Sequence, residues 1–242
     1  SATFTSASQI TVKAREYFDL VFLPAEQYDS VANGVIIPPV VFDSEMAQVE
    51  KMLASAKEKG AKYALVGNLG HIELAKKFGF ALCGDIRLNI FNNSSANAAE
   101  ELGFECFVVS PELGLPQARD IGGAKLVTVY GRLPLMLLEK CVGKELGGCK
   151  KCNDGAVSLK DRRGVSFPVL REWKHRSVIY NSLPTCMSDK PDLLVKNRVV
   201  GQHFIFSTES AAESDKVINA FERGLALGGA VRRLGSALNT GV

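Results

Sequence analysis

Short apolar runs alternate with amphipathic stretches along the first half of the chain. Each run is three to seven residues long and is rich in aliphatic and β-branched side chains, which is typical of buried parallel strands. The predicted strands cover residues 20–23, 35–41, 63–66, 81–83, 106–109 and 126–130. Apolar residues at helical spacing separate the strands. They predict a helix over residues 44–59 and shorter helices over 71–78, 96–102 and 112–120.

This alternation predicts a parallel sheet, which is either a closed barrel or an open doubly wound sheet. An open sheet that binds a dinucleotide carries a G-x-G-x-x-G loop, whereas the loop after Val66 reads Gly67-Asn-Leu-Gly70. A barrel is therefore favoured. Because six strands fall short of the eight in a complete barrel, we expect residues 1–133 to form an incomplete TIM-like parallel β/α barrel that this chain alone does not close. A missing N-terminal barrel portion, from the same protein or from a partner subunit, would supply the other strands.

The pattern changes after residue 133. Glycine and charged residues accumulate between Gly143 and Gly155, and apolar runs on either side of Asp161-Arg-Arg-Gly164 predict a β-hairpin. Further strands are predicted over 178–180 and 203–206, followed by a terminal amphipathic helix over 210–225. We therefore expect residues 134–242 to form an α+β appendage, which carries four of the six cysteines.

The composition is that of an ordinary globular chain, with 46% hydrophobic positions among 242 residues and a formal net charge of +3. So small a basic excess gives no argument for a dedicated nucleic-acid or membrane surface, although it does not exclude an RNA substrate. The apolar runs are far shorter than the roughly 20 residues of a membrane-spanning helix. The first residues lack the basic and apolar regions of a secretory signal, and we expect a cytoplasmic protein without a membrane partner.

The cysteines fall into two groups. Cys83 and Cys106 lie inside apolar segments, where a thiol behaves as a small hydrophobic side chain, and we interpret both as core residues. The second group lies in the polar, glycine-bearing half of the chain and consists of Cys141, Cys149, Cys152 and Cys186. The close spacing of Cys149 and Cys152 is typical of two thiolates that bind one metal centre from a tight turn. Spacing alone leaves structural zinc, an iron–sulfur cluster and unrelated free thiols open.

Three polar residues that follow predicted strands are candidates for a site: Asn89, Glu112 and Arg132. Asn89 shares its segment with Asp85 and Arg87. Parallel strands place all their carboxyl ends on one side, so we expect the three candidates to share a cleft. Glu112 has an alternative interpretation, because its position after Ser-Pro is that of an ordinary helix start. The Arg132 guanidinium is suited to holding a carboxylate or a phosphate.

Several longer motifs resemble one known family. They are Val66-Gly-Asn-Leu-Gly70, Gly84-Asp-Ile-Arg-Leu-Asn-Ile-Phe-Asn92, Ser110-Pro-Glu-Leu113, Val129-Tyr-Gly-Arg-Leu-Pro-Leu-Met136, Asp161-Arg-Arg-Gly164 with Phe167-Pro168, and Tyr180-Asn-Ser182. In this order, from about Phe18 to Phe206, they resemble the collagenase-like peptidases of family U32. The chain looks like the C-terminal portion of such a protein.

The resemblance implies a TIM-like barrel and, in several members, a 4Fe–4S cluster bound by four cysteines near the barrel mouth. On the matching positions the ligands would be Cys141, Cys149, Cys152 and Cys186. His175 stands where related proteins often have a cysteine, which makes it the fallback ligand. From the residues alone, His175 is either a base or ligand or an ordinary surface histidine. Structural zinc is the alternative metal.

Three functions follow as alternatives. The resemblance implies either an iron–sulfur enzyme component for oxygen-independent hydroxylation of a small aromatic or RNA substrate, or a collagenase-like protease. The third is a non-catalytic binding domain in which a metal holds the appendage against the barrel. The chain has no G-x-S-x-G elbow and no H-E-x-x-H helix, so nothing in it predicts the activated nucleophile or metal-bound water of a protease. The sequence therefore favours the first function, with Asn89, Glu112 and Arg132 as predicted catalytic residues.

Overall fold

The structure, a computed structural model, describes residues 1–145 and 157–227. Along these residues the strands are β1 (Ala2–Phe4), β2 (Val21–Pro24), β3 (Gly34–Ile36), β4 (Tyr63–Val66), β5 (Ala81–Gly84), β6 (Phe104–Val108), β7 (Lys125–Gly131), β8 (Pro134–Leu138), β9 (Ser158–Lys160), β10 (Ser166–Arg171), β11 (Ser177–Tyr180), β12 (Thr185–Cys186) and β13 (Gly201–Phe206). The helices are α1 (Val12–Tyr17), α2 (Met46–Glu58), α3 (Ile72–Lys77), α4 (Asn93–Glu101), α5 (Leu115–Asp120), α6 (Val142–Glu145), α7 (Pro191–Lys196) and α8 (Ala211–Arg223). All six strands predicted in the first half are present. β3 ends earlier than predicted because Pro38 and Pro39, which follow it, cannot donate to a ladder.

Eight parallel strands close into a barrel, in the order β1-β2-β3-β4-β5-β6-β7-β13 and back to β1. The closing strand β13 pairs with β7 on one side and with β1 on the other, where Ala2 is opposite Phe204. The prediction of a TIM-like α/β barrel is therefore confirmed. The prediction that the barrel is incomplete in this chain is wrong, because the chain supplies both of the strands that the sequence count lacked.

β1 and β13 are difficult to recognise as barrel strands from sequence, for different reasons. β1 has only three residues and does not stand out as an apolar run. Residues 203–206 are predicted as a strand, but their pattern does not reveal that the partners are β1 and β7, which are distant in sequence. A further barrel segment from elsewhere is not required for closure.

Residues 134–200 form an insertion between the last two barrel strands. Within its described part, four strands form an antiparallel sheet in the order β8-β11-β10-β9. The predicted hairpin is confirmed, since Phe167 of β10 is opposite Leu159 of β9. β12 pairs with the end of β7, and α7 precedes the return to the barrel. The predicted division at residue 133 needs revision, because residues 201–206 belong to the barrel.

The inserted sheet lies across the carboxyl end of the barrel. β8 follows directly from β7, and the far part of the sheet is fixed by Arg176, whose Nη2 lies 3.1 Å from both carboxylate oxygens of Glu45. Glu45 follows β3, which is diametrically opposite β7 in the barrel. The Arg176 side chain is only 3% exposed and also donates from Nε to Glu139 at 2.7 Å. The insertion therefore bridges opposite sides of the barrel mouth.

Apolar side chains fill both the barrel interior and the space between the barrel and its helices. Phe4 and Phe206 face outward and stack with their ring centroids 4.7 Å apart. Phe22 and Cys83 belong to a separate buried cluster inside the barrel. Gly34 makes room for this cluster, because a Cβ there would overlap the ring of Phe22.

The terminal helix α8 confirms the prediction over 210–225 and is fixed by its caps. The Glu213 amide donates to Ser210 Oγ at 3.3 Å, and the Ser210 amide donates to the Glu213 carboxylate at 2.7 Å, which completes a capping box. Gly224 ends the helix in the left-handed region with a φ of 62°. Within the described residues, no helix combines the length and the apolar character needed to cross a bilayer.

Candidate functional site

A cavity of about 100 Å³ lies at the carboxyl end of the barrel, beneath the inserted sheet. Its apolar walls include Pro24, Ile36, Pro38, Leu65, Pro134, Leu170, Trp173 and Ile205. Polar side chains in the wall include Asp85, Arg87, Glu172, Tyr180 and His203. An apolar cleft with a few convergent polar groups, at this end of a β/α barrel, is the general form of a small-molecule site. We refer to it as the mouth cavity.

Arg87 holds two carboxylates together in the wall of the mouth cavity. Its Nη1 donates to Oδ2 of Asp85 at 2.6 Å, and its Nη2 donates to Oε1 of Glu172 at 3.4 Å. Asp85 follows β5, whereas Glu172 follows β10 of the insertion. Arg87 therefore joins the barrel to the sheet that covers it, through charge-assisted hydrogen bonds that are stronger than neutral ones.

Burial sets the charge state of the groups around Arg87. It raises the pKa of Glu172 above the ordinary 4.5, and the positive charge of Arg87 opposes that shift. Burial also raises the pKa of Tyr180, so its hydroxyl stays protonated at neutral pH. Glu26 and Arg171 also line the cavity, so three carboxylates stand against two guanidinium groups and the wall has an excess of negative charge when all three are ionised.

His203 contributes an imidazole from β13. The residue is 1% exposed, and burial lowers its pKa to about 3, so the ring is neutral at physiological pH. Its Nδ1 lies 2.9 Å from Oγ of Ser1. Its Nε2 is buried and has no hydrogen-bond partner among the described residues. Buried polar atoms are nearly always paired in proteins, so a buried Nε2 without a partner among the described residues is an unusual feature of a residue in the cavity wall.

Local packing and hydrogen bonding explain the residues of the segment that follows β5. Glycine is needed at position 84 because a Cβ would lie 2.8 Å from Cβ of Phe107. The Asp85 side chain then accepts from the Ile86 amide at 2.8 Å and caps a single 3₁₀ turn, Ile86–Leu88. That turn ends at Asn89 in the left-handed region, with a φ of 50°. The motif thereby sets Asp85 and Arg87 side by side.

The predicted catalytic residues follow their strands as expected but lie outside the mouth cavity. Asn89 and Glu112 are exposed, and neither they nor Arg132 belong to the cavity wall. Nη1 of Arg132 donates to the carbonyl of Asn181 at 3.1 Å and also to that of Ser182. Arg132 thus holds the turn after β11. A catalytic role for these three residues stays a prediction.

The predicted metal ligands lie only partly within the described residues, since Cys149 and Cys152 fall outside them. Cys141 directly precedes α6, and the amide that follows it donates to Oγ of Ser177 at 3.0 Å. Ser177 begins β11 next to Arg176, which places Cys141 on the β3 side of the mouth. The exposed His175 lies on the same side.

Cys186 lies on the other side of the mouth. It is buried on β12 opposite Tyr130 of β7, and its Sγ is 3.3 Å from Oγ of Ser188. Cys141 follows β8 of the inserted sheet, whereas Cys186 stands on β12 beside the barrel. Binding of one metal centre by the four cysteines stays a prediction. Across residues 1–145 and 157–227, no three His, Cys, Asp or Glu side chains are grouped to hold a metal ion.

The sequence predicts only some of the polar residues that line the mouth cavity. Asp85 and Arg87 are visible because they follow a predicted strand in the same motif as Asn89. Tyr180 stands in one of the family motifs, but neither it nor Glu172 follows a predicted barrel strand, and both reach the cavity only when the insertion folds back over the barrel. His203 is missed because its strand is not recognisable as a barrel strand.

A comparison with protein-family models agrees with the motifs. The model of Peptidase family U32 matches residues 31–162, and no curated protein matches the chain. Among solved structures, the chain is similar to the spore cortex-lytic enzyme SleL of Bacillus megaterium QM B1551, with 11% identity and a TM-score of 0.39 over 91% of this chain and 73% of that one. For SleL of Bacillus cereus the identity is 8% and the TM-score 0.37, over 91% of this chain and 74% of that one. Because the family model spans more than half of its length, the chain belongs to peptidase family U32.

Proposed function

We propose that the mouth cavity binds a neutral, hydroxylated aromatic ring and that the protein is a component of oxygen-independent hydroxylation of such a small substrate. The observation that carries the proposal is Nε2 of His203, a buried polar atom in the cavity wall without a partner among the described residues. An unpaired buried polar group costs about 1–3 kcal/mol. A ligand hydroxyl that pairs with Nε2 removes this cost. The hydroxylation itself rests on the family resemblance.

The size of the mouth cavity favours a single ring over a polymer. A dry cavity of about 150 Å³ is known to hold benzene, and the mouth cavity, at about 100 Å³, is of the same order. Trp173 and the neighbouring prolines supply flat apolar surfaces for such a ring. An RNA strand or a peptide would have to lie outside the inserted sheet, so the small aromatic substrate is the favoured alternative.

The charge of the wall favours a neutral ligand. Arg87 is already engaged by Asp85 and Glu172, and their excess negative charge repels a ligand carboxylate. A phenolic hydroxyl avoids this repulsion. It pairs with Nε2 of His203 in either role, because a hydroxyl both donates and accepts. The proposed ligand is therefore a phenol rather than a benzoate.

The electron-transfer group is a separate part of the proposal. The resemblance implies a 4Fe–4S cluster, with structural zinc as the alternative. Cys141, Cys149, Cys152 and Cys186 are its candidate ligands, and the exposed His175 is the fallback ligand.

Binding of the ring is tested by titrating the purified protein with phenol and with benzoate in a calorimeter. We expect phenol to bind at least tenfold more tightly than benzoate, and Arg87→Gln, which loosens both carboxylates, to weaken phenol binding about tenfold. Glu112→Gln is the matched control, because Glu112 is an exposed acid at the same end of the barrel. Equal affinity for the two compounds, or an equal effect of the two substitutions, contradicts the proposed ligand.

The cofactor is tested by iron, zinc and sulfide analysis of protein purified without oxygen. A hydroxylation component is expected to contain about four iron and four sulfide per chain. A colourless preparation that contains zinc contradicts this part of the proposal and supports the non-catalytic alternative. Phenol binding and metal content are independent readouts. A negative result for the ligand therefore leaves the cofactor proposal standing, and the reverse also holds.

A further inference from the structure

Two cysteines meet inside the barrel, at a place that the proposed function does not use. Cys83 of β5 and Cys106 of β6 are paired residues on neighbouring parallel strands. Their sulfur atoms are 3.3 Å apart, which is contact distance and not a bond. Adjacent strands are about 4.8 Å apart, within the range of Cα separations of disulfide-bonded cysteines. The backbone therefore allows a bond between the two sulfurs without rearrangement of the sheet.

The two thiols differ in their access to solvent. Cys83 is 1% exposed, whereas Cys106 is partly exposed. Cys106 also lines a second cavity of about 450 Å³, whose wall is formed by the amino ends of β7 and β13. We call this the lower cavity. A small molecule that enters it meets Cys106 first and reaches Cys83 only through Cys106.

We propose that Cys106 and Cys83 form a reversible dithiol–disulfide pair that exchanges with a small anionic disulfide in the lower cavity. Cys106 is the attacking thiol and Cys83 is the resolving thiol. The lower cavity is formed at the amino ends of β7 and β13, whereas the mouth cavity lies at the carboxyl end of the barrel, so this proposal does not depend on the ligand proposed there.

The exchange balances in two steps. The Cys106 thiolate attacks one sulfur of the small disulfide, forms a mixed disulfide and releases the other half as a thiolate. The Cys83 thiolate then attacks Sγ of Cys106, which breaks the mixed disulfide and releases the second half. The protein loses two protons and two electrons, and the small disulfide takes them up as two thiols.

The surroundings support these roles. The hydrogen bond between the two thiols lowers the pKa of Cys106 and raises that of Cys83, while burial and the nearby Glu105 oppose the shift of Cys106. Cys106 is therefore the thiol that ionises first, as an attacking thiol must. Three basic residues, Arg119, Lys125 and Arg198, line the lower cavity and favour a disulfide that carries carboxylates.

The test incubates the reduced protein with oxidised glutathione, followed by alkylation and mass analysis of tryptic peptides. Cys83, Cys106 and Cys186 fall in different peptides, 78–87, 88–119 and 177–196. We expect a disulfide between the first two peptides, which dithiothreitol removes, while Cys186 stays alkylatable. Full alkylation of Cys83 and Cys106 after this treatment overturns the proposal, and no variant has to fold for that result.

Single substitutions assign the two roles. Cys83→Ser is expected to accumulate a mixed disulfide of glutathione with Cys106, because the resolving thiol is gone. Cys106→Ser is expected to leave Cys83 unmodified, and Cys186→Ser, at a buried thiol beside Ser188, is the matched control. Accumulation of the mixed disulfide on Cys83 in Cys106→Ser contradicts the assignment. Circular dichroism of each variant reports whether it is folded.

Discussion

The two ends of the barrel are built in different ways. The mouth cavity is assembled from segments that are far apart in sequence, since the barrel supplies Asp85, Arg87 and His203 and the insertion supplies Glu172 and Tyr180. The thiol pair beside the lower cavity is assembled by strand register alone, because Cys83 and Cys106 are neighbours across one ladder. The mouth cavity therefore depends on docking of the inserted sheet, whereas the thiol pair depends only on the barrel.

The largest expected effect comes from a substitution at the pairing of β7 with β13, which closes the barrel and which we call the seam. Loss of this pairing disrupts both cavities. Gly131 has a φ of +122°, and a Cβ there would overlap the carbonyl of Ile205 on β13. We expect Gly131→Ala to lower the free energy of unfolding in urea by about 4 kcal/mol. Gly164→Ala is the control, because Gly164 has a φ of +81° with no neighbour within 4 Å. It should cost only about 1 kcal/mol, and equal losses in the two variants would mean that the seam is not tightly packed.

The next effect separates the two ends. Arg176→Met leaves Glu45 without its buried partner, and we expect a loss of about 3 kcal/mol in urea unfolding together with weaker phenol binding. Thiol exchange at Cys106 should continue at its original rate. Arg163→Met, in the exposed hairpin turn, is the control for removing an arginine. If Arg176→Met slows thiol exchange as much as it weakens phenol binding, the two ends are coupled and the comparison fails.

The next prediction concerns pH and the mouth cavity. Because burial lowers the pKa of His203 to about 3 from the ordinary 6.5, the unfolded chain binds a proton below pH 6.5 that the folded protein excludes. The stability contributed by neutral His203 is therefore complete above pH 6.5. It is lost as the pH falls towards 3, at up to about 1.4 kcal/mol per pH unit.

Urea unfolding between pH 7 and 4 measures this slope. His203→Gln should reduce it, since glutamine does not titrate. His71, whose pKa is also lowered by burial, accounts for part of the slope that stays. Asp85 is the charged side chain that favours protonated His203, and it limits the effect. An unchanged slope in His203→Gln would show that His203 titrates alike in the folded and unfolded chain.

Much of the barrel is predictable from sequence because its strands are short apolar runs between helical segments. The six strands of the first half, the hairpin around Asp161 and the terminal helix follow from local pattern alone. Closure does not follow, because β1 is only three residues long and β13 resembles any other strand after the insertion. Pairing between residues 2 and 204 has no local signature.

The candidate site is less predictable than the fold. Asp85 and Arg87 stand in a recognisable motif, but a polar residue after a strand is not sufficient. Arg132 follows β7 and yet binds backbone carbonyls, and Glu112 is exposed. Cys83 and Cys106 are interpreted as core from their apolar segments, and burial of Cys83 agrees. Their contact appears only when the register of β5 and β6 is known.

The central claim, that Nε2 of His203 receives a hydroxylated ring, is tested most directly by nitrogen NMR of the imidazoles. The chain has only three histidines, so each ring nitrogen can be assigned by substitution. On addition of saturating phenol, we expect the Nε2 resonance of His203 to shift while those of His71 and His175 stay in place. A His203 resonance that does not move at saturating phenol, or a shift confined to the exposed His175, would contradict the account.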